Sequence, residues 1–332
     1  MAKAASSSGG SGKGAELVWP LPPEPPRIKY LWTRTSGDDY LSSFSLWLKK
    51  LIFGPETTYR LKQPYGVAAD GRGRIYVADN GLGVVVVFDE AKRKVSFIGD
   101  SGTGKLWVPI DVKLAADGRV FVSDAAQKRI FVYSPEGRLV AAYGKAGELE
   151  NPAGIALDEE RGRLYVVDTK KHQVLVYGLA DGSVTSTLGR RGTGEGEFNF
   201  PTNAWVDGRG QLYIADTMNF RIQIFTPEGR FVRSIGRLGD GPGQFARLKG
   251  IAVDSEGHIY AADAAFNNFQ IFDQEGQLLL WVGGPGAGPG EFRSPAGLFI
   301  DGQDRIYVAD RLNGRIQAFQ YLAAPGQAAG QK

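Results

Sequence analysis

Side chains able to do chemistry are few in this chain, and most of them recur at a fixed spacing. There is no cysteine, and the histidines number two, His172 and His258. A zinc site without thiolates needs several imidazoles or carboxylates together. A nucleophilic serine needs a histidine beside it, and no serine near His172 fits that role. Aspartates are more plentiful. Six of them, Asp79, Asp124, Asp168, Asp216, Asp263 and Asp310, close a repeated tetrapeptide that reads YVAD, FVSD, YVVD, YIAD, YAAD and YVAD. A residue present in every copy serves the copy. Each of these carboxylates is therefore expected to accept main-chain N–H groups of the following turn, with an arginine close by in three copies (Arg129, Arg221, Arg315).

The elements that position these groups follow from the spacing. The tetrapeptides lie 44 to 48 residues apart, the length of a four-stranded propeller blade. Every copy opens with a short apolar strand, as in PYGVAAD, PIDVKLAAD and PAGIALD. A Gly/Asp turn, the tetrapeptide strand, a polar loop and a third strand such as RIFVY or RIQIF come next. A turn such as SPEGR or TPEGR then leads to a fourth strand. Runs rich in β-branched and aromatic residues between Gly/Asp turns are antiparallel strands. One such sheet cannot bury both faces alone, whereas neighbours stacked round an axis can. The expected fold is an all-β, six-bladed propeller. The last copy lacks a fourth strand, and residues 27–36 resemble the fourth strand of an earlier copy. The N-terminal strand is thus expected to close the last blade, removing an exposed edge. Between it and the first repeat, at residue 62, the apolar spacing of Tyr40, Leu41, Phe44, Trp47, Leu48, Leu51 and Ile52 predicts one inserted amphipathic helix over about 39–53.

That frame makes the departures from the repeat informative. Two residues after the opening proline stand Gly66, Asp111, Gly154, Asn203, Gly250 and Gly297. Asp111 and Asn203 therefore put polar groups at the mouth of the central channel. They read either as a calcium or polar-ligand site or as two solvated residues. The loops between second and third strands share one face with the helix, here called the top. They supply Lys128, Lys170, Lys171, His172, Met218, Phe220, Phe266, Asn267 and Arg311, and the helix adds Phe44 and Trp47. These residues read as a contact surface for a partner or as the bed beneath the helix. His258 falls in a turn on the opposite face.

The pattern PxGIAVD, GxIYVAD, NxRIQxF, and the endings MNFRIQIF at 218–225 and LNGRIQAF at 312–319, resemble the NHL repeat from about Lys62 to Leu322. The order of IKYLWTRTSGDDY, an amphipathic segment and QPYGVAADGRGRIYVAD is similar to a bacterial subgroup of six-bladed NHL proteins. That resemblance implies an exported or lipid-anchored envelope protein with no assigned reaction. Propeller enzymes of the calcium-dependent lactonase type carry Glu, Asn and Asp ligands on the inner strands, where this chain has mostly glycine. RNA-binding NHL domains use a basic top face. Here the net charge is only +3, and the top connections mix arginines with glutamates, which argues against a nucleic-acid partner. Residues 1–26 read as a disordered Ser/Gly-rich tail and proline-rich lead-in, and residues 323–332 as a second tail. The functional expectation is a non-catalytic binding or scaffolding module, free of cofactors, whose top face and helix hold a protein or extracellular partner. The alternative is a calcium-dependent hydrolase.

Overall fold

The computed structural model describes residues 16–42, 45 and 59–323. Its strands form six antiparallel sheets of at least four strands. The first strands are Pro64–Ala69, Pro109–Leu114, Pro152–Asp158, Asn203–Val206, Leu248–Val253 and Pro295–Ile300, for blades 1 to 6. These six touch one another in sequence, and the last returns to the first, so they ring the axis.

Strands inside a blade are apolar on both faces because a blade is packed on both sides. In blade 1 the strand Val84–Asp89 is buried from Val85 to Phe88 without alternation. The fourth strands, at the rim, are more exposed, and those of blades 1 and 2, Lys94–Ile98 and Leu139–Tyr143, alternate. The core is accordingly six separate clusters, each drawn from two adjacent blades. Phe269 of blade 5 meets Phe292 and Phe319 of blade 6 at 6.1 and 5.5 Å between ring centroids, edge to face. Each fully buried phenylalanine of this kind contributes about 1.5–3 kcal/mol.

The ring closes through the two ends of the chain. Ile28–Arg34 pairs antiparallel with Arg315–Tyr321 and supplies the fourth strand of blade 6. The lead-in is more ordered than a tail. Val18–Trp19 pairs with Ile28–Lys29 as a short fifth strand, and Trp19 packs on Phe319.

The inserted helix expected over 39–53 is not supported, and the architecture is all-β without it. Where its first turn was expected, Ser36 caps a single 3-10 turn, Gly37–Tyr40. Leu41 then leaves helical space at φ −92°, ψ 145°. Asp39 sits inside this turn and accepts from the Ser36 N–H at 3.0 Å. Tertiary anchoring explains the break. Tyr40 is buried and donates to Glu90 at 2.8 Å, while Arg34 grips the same carboxylate with two N–H groups. Tyr40 is held against blade 1, so its apolar spacing serves that blade and not a helix face. Among the described residues no α-helix longer than one residue occurs, Ser45 alone having helical geometry. Residues 43–44 and 46–58, with Phe44 and Trp47, lie outside them.

Candidate functional site

The six repeated aspartates are fully buried and do structural work. Asp79 accepts from Lys62 N and Gln63 N, which precede the first strand, and from Gly81 N and Leu82 N of the second-to-third turn. Asp124 and Asp263 repeat the pattern. Each carboxylate therefore ties the top turn of a blade to the chain entering that blade. Arg221 and Arg315 join this arrangement, donating Nε to Asp216 and Asp310 at 2.9 and 2.7 Å, whereas Arg129 is exposed. Burial holds the Asp310 carboxyl above its ordinary value despite its hydrogen bonds and Arg315.

Four of the top-face residues share one backbone position. Lys128, His172, Phe220 and Asn267 each lie four residues after the repeated aspartate and adopt positive φ, between 54° and 57°. Gly83 and Gly314 stand there in blades 1 and 6. The turn requires a left-handed residue, so side-chain identity is free to vary if about 1–2 kcal/mol of strain is tolerated. Two of the four have gained a tie to the next blade. His172 Nδ1 accepts from Phe200 N at 3.1 Å, and Asn267 Oδ1 accepts from Ser294 N at 2.7 Å. His172 is buried, edge-on to Phe200. Lys171 donates to Gly147 O and Glu148 O. Arg311 reaches from blade 6 to Gln63 of blade 1 at 2.9 Å. Lys128, Lys170 and Met218 are exposed.

In the channel, Asp111 is buried and engaged on every side. Its two oxygens lie 3.0 and 2.9 Å from Lys113 Nζ, one accepts from Val112 N, and the other accepts from Ile155 N of blade 3. Asn203 accepts likewise from Ile251 N of blade 5 at 3.2 Å. Both side chains are staples between neighbouring first strands. The glycines at the equivalent positions mark how close those strands run. A Cβ on Gly154 would lie 2.4 Å from Asn203 Cα, and one on Gly297 would lie 2.2 Å from Tyr65 O. Calcium asks for six to eight oxygen ligands. The donor set does not fit it, because an ammonium already bridges both Asp111 oxygens. No group of three or more His, Asp or Glu suited to a metal occurs among the described residues.

Sequence reasoning passed over a second channel layer. Two residues beyond the glycine position the first strands read Ala68, Lys113, Ala156, Trp205, Ala252 and Phe299. Large and small residues alternate around the ring. Trp205 packs on the clusters flanking blade 5, and Phe299 on those flanking blade 1. Trp205 and Phe299 thus pack beside the alanine of the next blade, and the two rings meet at 5.6 Å, edge to face. Aligning the copies two residues beyond the glycine position would have found this plug. Below it, Phe299 and Leu114 help line a cavity of about 450 Å³ that reaches the first-to-second-strand turns. In those turns Asp254 binds His258 Nδ1 at 2.9 Å and Tyr260 OH at 3.0 Å. This hydrogen bond raises the His258 pKa.

The chain is similar over 102 residues, at 30% identity, to human NHL repeat-containing protein 2. That stretch is 28% of this chain and 14% of the relative. The chain spans between 5% and 23% of the length of the curated relatives it matches. Among solved structures it resembles virginiamycin B lyase from Staphylococcus aureus, with TM-score 0.58, 14% identity, and 79% and 96% of the two chains covered. It also resembles an auxiliary nutrient binding protein from Bacteroides thetaiotaomicron, with TM-score 0.62, 15% identity, and 79% and 69% covered. At these identities the structural likeness speaks for the fold alone. Six blades, the NHL-type repeat in each, and a family match over residues 109–189, 204–269 and 255–322 lead to one assignment: the chain belongs to the DUF5128 family, a 6-bladed beta-propeller.

Proposed function

We propose that this propeller is a non-catalytic binding module whose top face holds a protein partner. The observation that carries the reading is an asymmetry in exposed apolar surface. Trp107, Phe200 and Leu238 in the connections entering blades, and Met218 and Leu312 in the second-to-third turns, are 41–63% exposed. All five lie on the top. Among the described residues, no exposed large apolar side chain lies in the turns that join first to second or third to fourth strands. Large apolar groups held in water and gathered in the connections of one face are what an interface core requires. His172 and Asp111 support the same reading, since main-chain N–H groups already occupy His172 Nδ1 and both Asp111 oxygens. A location at the bacterial envelope or outside the cell goes with this proposal.

The test is site-specific photo-crosslinking in the cell of origin. A photoreactive residue at position 107, 238 or 312 is expected to give a discrete protein adduct. The same residue at 136, 228 or 275, on the opposite face, is expected to give none. Adducts from the opposite face alone, or none from the top, would overturn the reading.

A further inference from the structure

Blades 4, 5 and 6 open with the same loop, GRRGTGEGEF, GRLGDGPGQF and GGPGAGPGEF, and a buried glutamine holds that loop identically in each. Gln223, Gln270 and Gln317 accept from Gly196 N, Gly243 N and Gly290 N at 2.9 Å, and they donate to Glu197 O, Gln244 O and Glu291 O. In blades 4 and 6 an arginine completes the frame. Arg221 donates to Asp216, Gly194 O and Glu197 O. Arg315 donates to Asp310, Gly288 O and Glu291 O. An asparagine beside each, Asn219 or Asn313, also donates to the aspartate.

Blade 5 keeps the frame and lacks the guanidinium. Asn268 stands in place of the arginine and Phe266 in place of the asparagine. A cavity of about 200 Å³ opens there, lined by Asp240, Gly241, Pro242, Phe266, Asn268, Gln270 and Trp281. Asn268 is one of its lining residues, and its Oδ1 is buried without a hydrogen-bond partner, a state that costs about 1–3 kcal/mol. Two more changes occur only in this blade. The carboxylate of Asp240 replaces Thr193 and Ala287, and the exposed Asp240 sits at the rim. Trp281, opposite Gln270, replaces Ser234 and Thr33. With Phe266 it supplies the aromatic faces on which a guanidinium stacks.

We propose that this cavity is a recognition site for a guanidinium group brought from outside the blade. The carbonyls of Gly241 and Gln244 correspond to those that Arg221 and Arg315 bind in the flanking blades. Asp240 supplies the charge, and Asn268 Oδ1 is the waiting acceptor. The site stands on the cavity itself and does not depend on the partner surface described above, because a small guanidinium compound would serve as well as an arginine of a protein.

Two-dimensional NMR of the full chain, following the Trp281 indole N–H (assigned with Trp281→Phe), tests this. N-acetyl-L-arginine methylamide is expected to shift that resonance saturably, with a dissociation constant on the order of 1 mM, and the lysine analogue at least tenfold more weakly. Asn268→Arg is expected to abolish the shift and raise Tm, because the blade then carries its own guanidinium. The Phe266→Asn, Asn268→Arg double variant reproduces the arrangement of blades 4 and 6, and it serves if the single variant folds poorly. An arginine-containing peptide binding at least tenfold more tightly than the amide would identify a protein source. Equal affinities would identify the guanidinium alone. No saturable shift up to 50 mM (about fifty times the expected constant), equal binding of the lysine analogue, or undiminished binding by a folded Asn268→Arg variant would overturn the proposal.

Discussion

The buried Asp111–Lys113 pair allows the channel to be tested by a double-mutant cycle. Blades 1 and 3 carry glycine and alanine at these two positions, so Asp111→Gly and Lys113→Ala convert blade 2 into a copy of its neighbours. Both side chains are at least nine-tenths buried. Removing one partner strands the other charge away from water, at a cost of about 3–5 kcal/mol. Asp111→Gly should be the worse of the two, because it also removes the acceptor of Ile155 N, about 1 kcal/mol more. Lys113→Ala leaves the carboxylate with its two main-chain N–H groups, so its cost falls at the lower end. In the double variant no charge is stranded, and the loss should be about 1–2 kcal/mol from the missing staple. The cycle then gives a coupling of more than about 3 kcal/mol, well above the roughly 0.5 kcal/mol within which independent sites add. Equilibrium denaturation by urea of the four proteins, with circular dichroism, measures it. Additive losses would refute the claim that the pair acts as one buried unit.

Three further outcomes follow from the same geometry. Calcium, or a chelator, should leave Tm unchanged within error, because Lys113 already bridges the oxygens a cation would need; a rise of several degrees with calcium would contradict this. Gly297→Ala should cost several kcal/mol, since its Cβ would meet Tyr65 O at 2.2 Å, whereas Gly302→Ala meets nothing within 4 Å and should stay near neutral in the same denaturation assay. His258 has a raised folded pKa because of Asp254, so its contribution is complete below the unfolded value of about 6.5 and is lost as pH rises through the folded value. The Tm deficit of His258→Asn should therefore be larger at pH 5.5 than at pH 9, and an equal deficit at both would remove the ion pair from the account.

Six copies of one pattern were enough to derive the blade count, the strand order, the structural role of the repeated aspartates and the closing of the ring by the N-terminal strand. Each of these is a local motif multiplied, and repetition amplifies a local signal. Asp111 and Asn203 were also visible as departures from glycine. Their role was not, because stapling adjacent first strands depends on Ile155 and Ile251, some 44 to 48 residues away. The apolar spacing from Tyr40 onward suggested a helix. The structure spends Tyr40 on Glu90 of blade 1, a contact 50 residues distant that no periodicity encodes. The alternation of Lys113, Trp205 and Phe299 with alanines lay in plain sight in the sequence, yet it becomes a plug only when six strands share one axis. The gap in blade 5 has the same character. Asn268 is an ordinary residue until the frame around it shows that an arginine belongs there. Sequence alone determined what every blade has in common, because that depends on near neighbours. Tertiary structure decided what each blade does differently, because those side chains act across the space between blades.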